Sequence, residues 1–267
     1  MKRLIITLFA LALTSVLFAQ NSKTKLFGMP LKRTGVSLGI EWDRVQNFSA
    51  VSFERMAGLP SLSDDLGLDA DQADIYSGYC ENPHLRLQAA WLTANPKVEL
   101  HTSLLVVANR YDGLTFYGES LSRYDNYLTM NSWGNEIALD VALVRRLEAG
   151  PFALHVGVGG NTGYSFLNTI DITGTLQAES SISSLKSSGI GRLNASDYGD
   201  FHIYDVEVGD GITQRVYGQV GWSVTIAKRV EIGMEGRWGY GYRWHFDGSP
   251  ISTNLRSLGG IARWVLK

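Results

Sequence analysis

Three polar residues near the end of the chain carry the groups of a hydrolytic triad. His245, Asp247 and Ser249 occupy alternate positions, so an extended backbone would direct their side chains to one side. Such a set could supply a nucleophilic hydroxyl, a general base and a carboxylate that orients the base. A triad is defined by geometry in space, however, and residues 247–250 have the composition of a turn. We therefore expect a turn here and no catalytic residues.

Two further segments have the composition of ligand-binding loops. Residues 64–74 are rich in aspartate, but Ala73 stands where an EF-hand requires another oxygen ligand. Residues 157–163 are rich in glycine, but Thr162 breaks the dinucleotide-binding pattern. We expect a solvated loop at the first segment and a turn or a curved strand at the second.

The histidines and the single cysteine do not form a metal-binding pattern. His101 and His155 lie on polar strand faces, where we expect them to form hydrogen bonds. Cys80 is the only cysteine, so it cannot form a disulfide within the chain, and no Cys or His spacing around it suits zinc. The sequence therefore predicts no metal site and no cofactor.

The overall composition excludes two broad classes of protein. Of 267 residues, 45% are hydrophobic and 11% aromatic, which is too much for a disordered chain. The net charge is -2 and there is no run of basic residues, so no surface could neutralise a phosphate backbone. We predict no nucleic-acid partner.

Hydrophobic residues recur at every second position in eight segments. In the longest segment, Val230 and Ile232 alternate with Glu231 and Gly233. This period indicates strands with one apolar and one polar face. The predicted strands are residues 36–43, 84–92, 98–108, 136–143, 152–159, 216–226, 230–244 and 253–266.

Long and short connections alternate between these strands. The long connections are residues 44–83, 111–133 and 165–212, and the short ones are residues 93–96, 145–151 and 227–228. Short turns at one end and long loops at the other are typical of single-chain membrane β-barrels. We predict an all-β, antiparallel up-and-down transmembrane barrel of about eight strands, with long extracellular loops.

The third long connection admits two interpretations. Residues 170–173 and 201–208 also alternate, so this connection is predicted to continue the fifth and sixth strands as a hairpin beyond the membrane. The second interpretation makes turns of residues 160–163 and 209–211 and gives ten strands.

The first residues have the pattern of a secretory leader. Basic Lys2 and Arg3 precede an apolar run from Leu4 to Phe18, and the small residue Ala19 follows. We predict a signal peptide over residues 1–19, a short periplasmic segment over residues 20–33 and a barrel domain over residues 34–267.

The polar strand faces are rich in arginine and carboxylates. Arginine suits a confined interior because its planar guanidinium pairs with carboxylates in a bidentate manner. An outer-membrane barrel has its polar face inside and its apolar face towards lipid. The predicted interior charge network is Glu41, Asp43, Arg86, Glu99, Glu136, Asp140, Arg215, Glu231, Glu235, Arg237, Arg243 and Arg263. Because acids and bases are nearly balanced, we expect a closed interior and no wide pore.

Tryptophans fall near the ends of the predicted strands. Trp42, Trp133 and Trp244 lie towards the long connections, and Trp91 and Trp264 lie towards the short turns. This distribution predicts two interfacial aromatic girdles.

With these features, the chain resembles the small outer-membrane β-barrel proteins of Gram-negative bacteria, with the OmpA/OmpX-type eight-stranded barrel as the nearest architecture. The resemblance covers most of the chain after the leader and is architectural, without a specific family fingerprint. It implies a location in the bacterial outer membrane, reached by secretion across the inner membrane.

The function predicted first is a non-enzymatic membrane barrel with a structural or surface-binding role. Its partners would be outer-membrane lipid and a surface or envelope protein. The second interpretation is a lipid-modifying enzyme in the same barrel, since some barrels of this size resemble lipid A palmitoyltransferases and deacylases. The third is a soluble periplasmic lipocalin-like carrier.

Overall fold

The computed structural model describes residues 24–46, 74–77, 80–117, 127–175, 192–195, 200–245 and 250–266. These residues form twelve strands: β1 (Lys25–Leu26), β2 (Met29–Gln46), β3 (Asp74–Ser77), β4 (Cys80–Leu92), β5 (Val98–Tyr117), β6 (Tyr127–Ala149), β7 (Phe152–Thr175), β8 (Arg192–Ala195), β9 (Asp200–Val208), β10 (Gly211–Ile226), β11 (Val230–His245) and β12 (Ile251–Val265). In this part of the chain, no helix has the length and apolar character needed to cross a membrane.

Eight of the strands close into a ring. Paired neighbours follow the order β10, β11, β12, β2, β4, β5, β6 and β7, and β7 pairs in turn with β10. Every pairing in the ring is antiparallel. Closure leaves the wall without free strand edges. The predicted eight-stranded antiparallel barrel is confirmed.

The ten-strand interpretation is wrong because its two proposed turns are not turns. Gly160 lies inside β7 and pairs with Val141 on β6 and Val216 on β10. Beyond it, β9 and β10 both pair with β7 as one interrupted return strand, with Val208 opposite Asn168 and Gly211 opposite Ser165. Residues 170–173 and 201–208 therefore alternate because they belong to a hairpin that extends the wall. This is the first of the two interpretations given above.

The wall also extends further than predicted at the second long connection. β5 continues to Tyr117 and β6 begins at Tyr127, so much of residues 111–133 is paired strand. At the start of the barrel, β2 begins at Met29, before the predicted boundary at residue 34. Residues 1–19, the predicted leader, lie outside the described part of the chain.

All short connections lie at one end of the ring, which we call the turn side. Ala227 and Lys228 have φ values of 50° and 57°, as the two central residues of a tight hairpin turn require. Gly150 has φ 62° in the turn between β6 and β7. The first and last barrel strands meet at the same end, where Leu266 N donates to Lys32 O at 2.9 Å. The opposite end, with the long connections, is called the loop side.

The strands are steeply inclined. Paired positions starting at Glu81 on β4 lead through Trp42, Arg256, Trp238, Gly218, Val158, Leu143 and Leu100 to Trp91, again on β4. One circuit thus moves ten positions along β4, from its loop-side end to its turn-side end. A displacement of this size corresponds to a strand tilt of about 40°.

Burial alternates along the strands with inverted polarity. Leu139, Val158 and Val216 point outwards and are 69%, 67% and 67% exposed. Their neighbours in the same strands, Asp140 and Arg215, point inwards and are buried. Apolar side chains such as Leu105, Val107 and Ala138 form only small clusters between the interior charges. The molecule therefore has an apolar surface and a charged interior.

Candidate functional site

The barrel interior holds all twelve residues of the predicted charge network. Each of them is 5% exposed or less. The structure adds Arg33, Arg110 and Arg146 to this set. Among the described residues, the buried charges are thus eight arginines and seven carboxylates, with no lysine. They fall into three layers along the barrel axis.

The loop-side cluster consists of Glu41, Asp43, Glu136, Arg110, Arg215 and Arg243. Glu136 is its centre. Arg110 Nη1 lies 2.6 Å from Glu136 Oε2, and Arg215 Nη2 donates to the same oxygen at 2.8 Å. Arg215 Nη1 and the Thr213 hydroxyl donate to the other carboxylate oxygen of Glu136. Arg110 and Arg243 also form ion pairs with Asp43.

The central cluster consists of Arg86, Asp140, Glu235, Arg237 and Tyr217. Arg237 bridges its two carboxylates, donating to Glu235 Oε1 from Nε at 2.9 Å and forming an ion pair with Asp140. Its guanidinium lies 4.5 Å from the centroid of the Tyr217 ring. The Tyr217 hydroxyl in turn donates to Asp140. Arg86 lies near the same two carboxylates.

The turn-side cluster consists of Arg33, Arg146, Arg263, Glu99, Glu231 and Glu148. Glu231 is fully buried and forms ion pairs with Arg146 at 2.9 Å, Arg33 at 3.1 Å and Arg263 at 3.4 Å. Arg33 also pairs with Glu99. Arg263 continues to Glu235 at 3.2 Å and so joins this layer to the central cluster.

The turn-side cluster opens onto a mouth of the barrel. A cavity of about 470 Å³ is bordered by Arg33, Arg146, Glu99 and Glu148, with Lys32 and Lys97 at its rim. The Glu148 side chain is 59% exposed, although it accepts a hydrogen bond from Arg146 Nε at 2.6 Å. Water can therefore reach the outer side of this cluster.

Many of the ion pairs cross the lumen. Arg237 on β11 reaches Asp140 on β6, three strands away around the ring of eight. Arg215 on β10 reaches Asp43 on β2, again three strands away. Such pairs brace opposite walls and fill the space between them. This arrangement is suited to holding a narrow barrel rigid.

The two predicted polar-face histidines lie in the turn-side half. His101 Nε2 is 3.1 Å from Glu99 Oε2, and His155 Nε2 is 2.7 Å from Ser223 Oγ. Both rings are buried. Within the described ranges, no group of three or more His, Cys, Asp or Glu side chains is placed to hold a metal ion.

The three additional arginines carried a partial signal in the sequence. Arg33 and Arg146 continue the inward alternation of β2 and β6 beyond the predicted ends of those strands. Arg110 has the opposite parity from inward Glu99 and His101, because an irregularity between Val107 and Arg110 shifts the register of β5. Strict alternation therefore directs Arg110 outwards, and only the bulge returns it to the interior.

The five predicted girdle tryptophans lie towards the two ends of the barrel. On the turn side, Trp91 and Trp264 are the second-to-last residues of β4 and β12, and Trp264 is 39% exposed. On the loop side, Trp42 donates to Glu81 at 3.4 Å and Trp244 stacks on Tyr242.

Trp133, the third loop-side tryptophan, packs against Tyr111 with ring centroids 5.5 Å apart. The three loop-side tryptophans are thus held by neighbouring polar or aromatic groups.

Other residues singled out from the sequence are only partly described. His245 ends β11, whereas Asp247 and Ser249 lie outside the described residues, as does most of the aspartate-rich segment 64–74. Cys80 begins β4 and pairs in register with Asp43.

Comparisons with known proteins find similarity in structure but not in sequence. No protein-family model and no curated protein matches the chain. The crystal structure of Neisserial surface protein A is 9% identical, with a TM-score of 0.35, over 87% of this chain and 97% of that chain. The outer membrane protein OprG from Pseudomonas aeruginosa is 10% identical, with a TM-score of 0.39, over 88% and 95%. The outer membrane protease OmpT from Escherichia coli is 9% identical, with a TM-score of 0.38, over 92% and 100%.

Proposed function

We propose that this chain is an integral barrel of the bacterial outer membrane with a structural or surface-binding role and a closed polar interior. The observation that carries the proposal is the inverted polarity of the wall. Exposed apolar surface is unfavourable in water by about 25 cal/mol per Å², and that term disappears when the surface faces lipid. A closed barrel also satisfies every backbone hydrogen bond within the wall, as a membrane requires.

The contents of the lumen support a membrane barrel over a lipocalin-like carrier. A carrier of apolar ligands needs an apolar cavity inside the barrel and a polar surface outside. Here the described interior contains eight arginines and seven carboxylates, while residues such as Leu139 and Val158 face outwards.

The strand extensions on the loop side support a surface-binding role. β7 continues past the ring to Thr175, where it pairs with β9, and β8 pairs with β9 as a further strand. β5 and β6 remain paired out to Tyr117 and Tyr127. Loops carried on a rigid scaffold are common binding sites. We propose that this sheet contacts a surface or envelope protein.

Membrane fractionation combined with a heat-dependent gel shift tests the proposed location. The full-length protein, expressed with its own N-terminus in a Gram-negative host, is expected in the outer-membrane fraction. It should migrate faster before boiling than after, because the closed barrel resists detergent until it is heated. Recovery from the soluble periplasm would overturn the proposal.

Planar-bilayer recording tests the closed interior. Because ion pairs cross the lumen in all three layers, purified protein is expected to give no large, steady single-channel currents. An outer-membrane porin reconstituted in the same lipid serves as the positive control. Steady currents that scale with the amount of protein would contradict a closed interior.

A further inference from the structure

The cavity of about 470 Å³ at the turn-side mouth, which we call the turn-side cavity, is formed by four consecutive strands. Its bordering residues lie on β2, on β4 and β5 with the turn between them, and on β6. Arg33, Glu99 and Arg146 border it although their side chains are buried. A concave site of this size, with buried charged groups in its wall, suits a small molecule.

The charges of the turn-side cluster, at the wall of this cavity, compensate one another. The cluster contains three arginines and three carboxylates, and all six form ion pairs within it. Arg33 pairs with Glu99 and Glu231. Arg146 pairs with Glu148 and Glu231. The arginines of this cluster therefore add no uncompensated charge to the cavity.

Lys32 and Lys97 border the turn-side cavity in addition to this balanced set. Among the residues that the structure describes, neither ammonium group forms an ion pair. Glu148, the exposed carboxylate at the cavity, is already engaged by Arg33 and Arg146. The cavity thus has an excess of two positive charges, which an anion can compensate.

An irregularity in the wall positions Lys32. The pairing of β2 with β4 shifts between Leu31 and Arg33, so Lys32 is an additional residue in β2. Such a bulge changes the direction of a side chain relative to the alternation of the strand. The Lys32 carbonyl accepts a hydrogen bond from Leu266 N at 2.9 Å. The backbone of Lys32 is therefore held in place at the mouth.

A hydrogen-bonded turn positions Lys97. The Lys97 amide donates to Asn95 Oδ1 at 3.0 Å, and the Lys97 carbonyl accepts from Arg146 N at 2.9 Å. The Thr93 hydroxyl closes the same turn by donating to Val98 O at 2.8 Å. A ligand that binds Lys97 does not have to order this turn, which lowers the entropic cost of binding.

Further exposed cations lie at the turn side. Lys25, Arg145, Lys228 and Arg229 are all exposed there. In the turn-side segments that the structure describes, Glu148 is the one exposed carboxylate. A surface with such an excess of one sign attracts anions from a distance. The surroundings of the cavity therefore favour the same class of ligand as its two lysines.

We propose that the turn-side cavity binds the phosphate group of a phosphate monoester, with Lys32 and Lys97 as its counter-charges. Lysine is a common phosphate-binding residue because its ammonium group is a compact charge. A phosphate monoester carries about −1.5 to −2 charges at pH 7, which matches two lysines. The cavity is larger than a phosphate group, so the esterified substituent has space beside Leu92 and Leu147.

Isothermal titration calorimetry of the purified full-length protein in a non-ionic detergent tests this site. The soluble probes are phenyl phosphate and benzenesulfonate, which share a ring but differ by one negative charge. The lipid probes are short-chain phosphatidic acid and phosphatidylglycerol with identical acyl chains, which differ in the same way. At about pH 7.5, we expect one molecule of the doubly charged probe to bind about tenfold more tightly than its singly charged counterpart.

The two pairs of probes distinguish the source of the phosphate. A preference within the soluble pair assigns the site to a soluble monoester, and a preference confined to the lipid pair assigns it to a lipid headgroup. Either preference supports the phosphate site. Equal affinities within both pairs would overturn it.

Three variants separate the site from the overall charge. The double variant Lys32→Gln, Lys97→Gln should abolish the preference. The matched control, Lys25→Gln, Lys228→Gln, removes two exposed turn-side lysines that do not border the cavity and should leave the preference unchanged. Glu148→Gln removes the exposed carboxylate and should tighten the binding of each probe several-fold. Equal losses in the double variant and its control would mean that only the overall positive charge attracts the probes, and the site would be wrong.

The site requires the barrel fold but not the membrane location proposed above, so the two can fail separately. A heat-dependent gel shift confirms that each variant is a folded barrel. If the wild-type protein is recovered from the soluble periplasm and still shows the preference, the proposed location alone fails. If it is a folded membrane barrel without the preference, the phosphate site alone fails.

Discussion

The loop-side and turn-side clusters are both built from arginine guanidinium groups and carboxylates, but they differ in their access to water. In the loop-side cluster, Glu136 is fully buried between Arg110 and Arg215, and no charge of that cluster is more than 5% exposed. In the turn-side cluster, Arg33 and Arg146 border an open cavity and share the exposed carboxylate of Glu148.

This difference indicates how each cluster would tolerate a lost partner. A buried charge left without its partner is strongly destabilising, because neither protein nor water replaces the lost interaction. Where a cavity admits water, the remaining group can be hydrated in part. Equal substitutions in the two clusters should therefore have unequal effects on the free energy of unfolding.

The largest effect is expected for Glu136→Gln. The substitution leaves the buried Arg110 and Arg215 with one carboxylate fewer, and we expect a loss of about 3–5 kcal/mol. Urea titration of the protein folded into lipid vesicles, followed by the heat-dependent gel shift, measures it. The double variant Glu136→Gln, Arg215→Gln should be less destabilised than the sum of its two single variants. Strict additivity would show that the two residues do not interact.

A smaller effect is expected for Glu231→Gln in the turn-side cluster. Glu231 has three arginine partners, but Arg33 retains Glu99 and Arg146 retains Glu148 after the change. With water available from the cavity, we expect a loss of about 2 kcal/mol in the same titration. A loss equal to that of Glu136→Gln would remove the distinction between the two clusters.

The central cluster offers a test of geometry at constant charge. Arg237→Lys keeps the positive charge but loses the stacking on Tyr217 and the simultaneous contacts with Glu235 and Asp140. We expect a loss of about 1–2 kcal/mol. Arg145→Lys on the exposed surface is the control and should be neutral. If both variants behave alike, the central layer depends on charge alone.

The smallest effect is expected for Glu148→Gln. Its side chain is largely exposed, so its pairs with Arg33 and Arg146 should contribute less than about 1 kcal/mol. The difference in the free energy of unfolding between variant and wild type should become smaller in high salt, because salt screens exposed ion pairs. A large, salt-independent loss would mean that water does not reach the turn-side mouth.

Alternation along the chain was sufficient to predict most of the inward charged residues of the ring. A strand has a period of two, so Glu231, Glu235 and Arg237 had to share one face once the apolar residues between them were assigned to the other. The alternating lengths of the connections predicted the eight-membered ring in the same way. Both arguments need only local sequence.

The remaining features depend on contacts between distant strands. Arg110 is inward because a bulge changes the parity of β5, and Asn109 within it has φ 51°. The extended hairpin could be recognised only from the register of β7 against β9. Without that register, the glycines of residues 160–163 could be interpreted either as a turn or as part of a strand. The assignment of partners, such as Arg237 with Asp140, depends on the tilt and stagger of the closed ring, which no single segment encodes.

The seam between β2 and β12 has a consequence for how the molecule is assembled. It joins the first and last barrel strands, with Gly35 opposite Arg263. Interior pairs such as Arg33 with Glu231 form across the same junction. Bringing together residues so distant in sequence has a large entropic cost of loop closure. These contacts therefore form late and slow the folding reaction. Until that last step the arginines and carboxylates remain in contact with water, and closure removes them from it together. The folded barrel should accordingly open rarely. How long it stays folded then depends on its unfolding rate as well as on its free energy of unfolding.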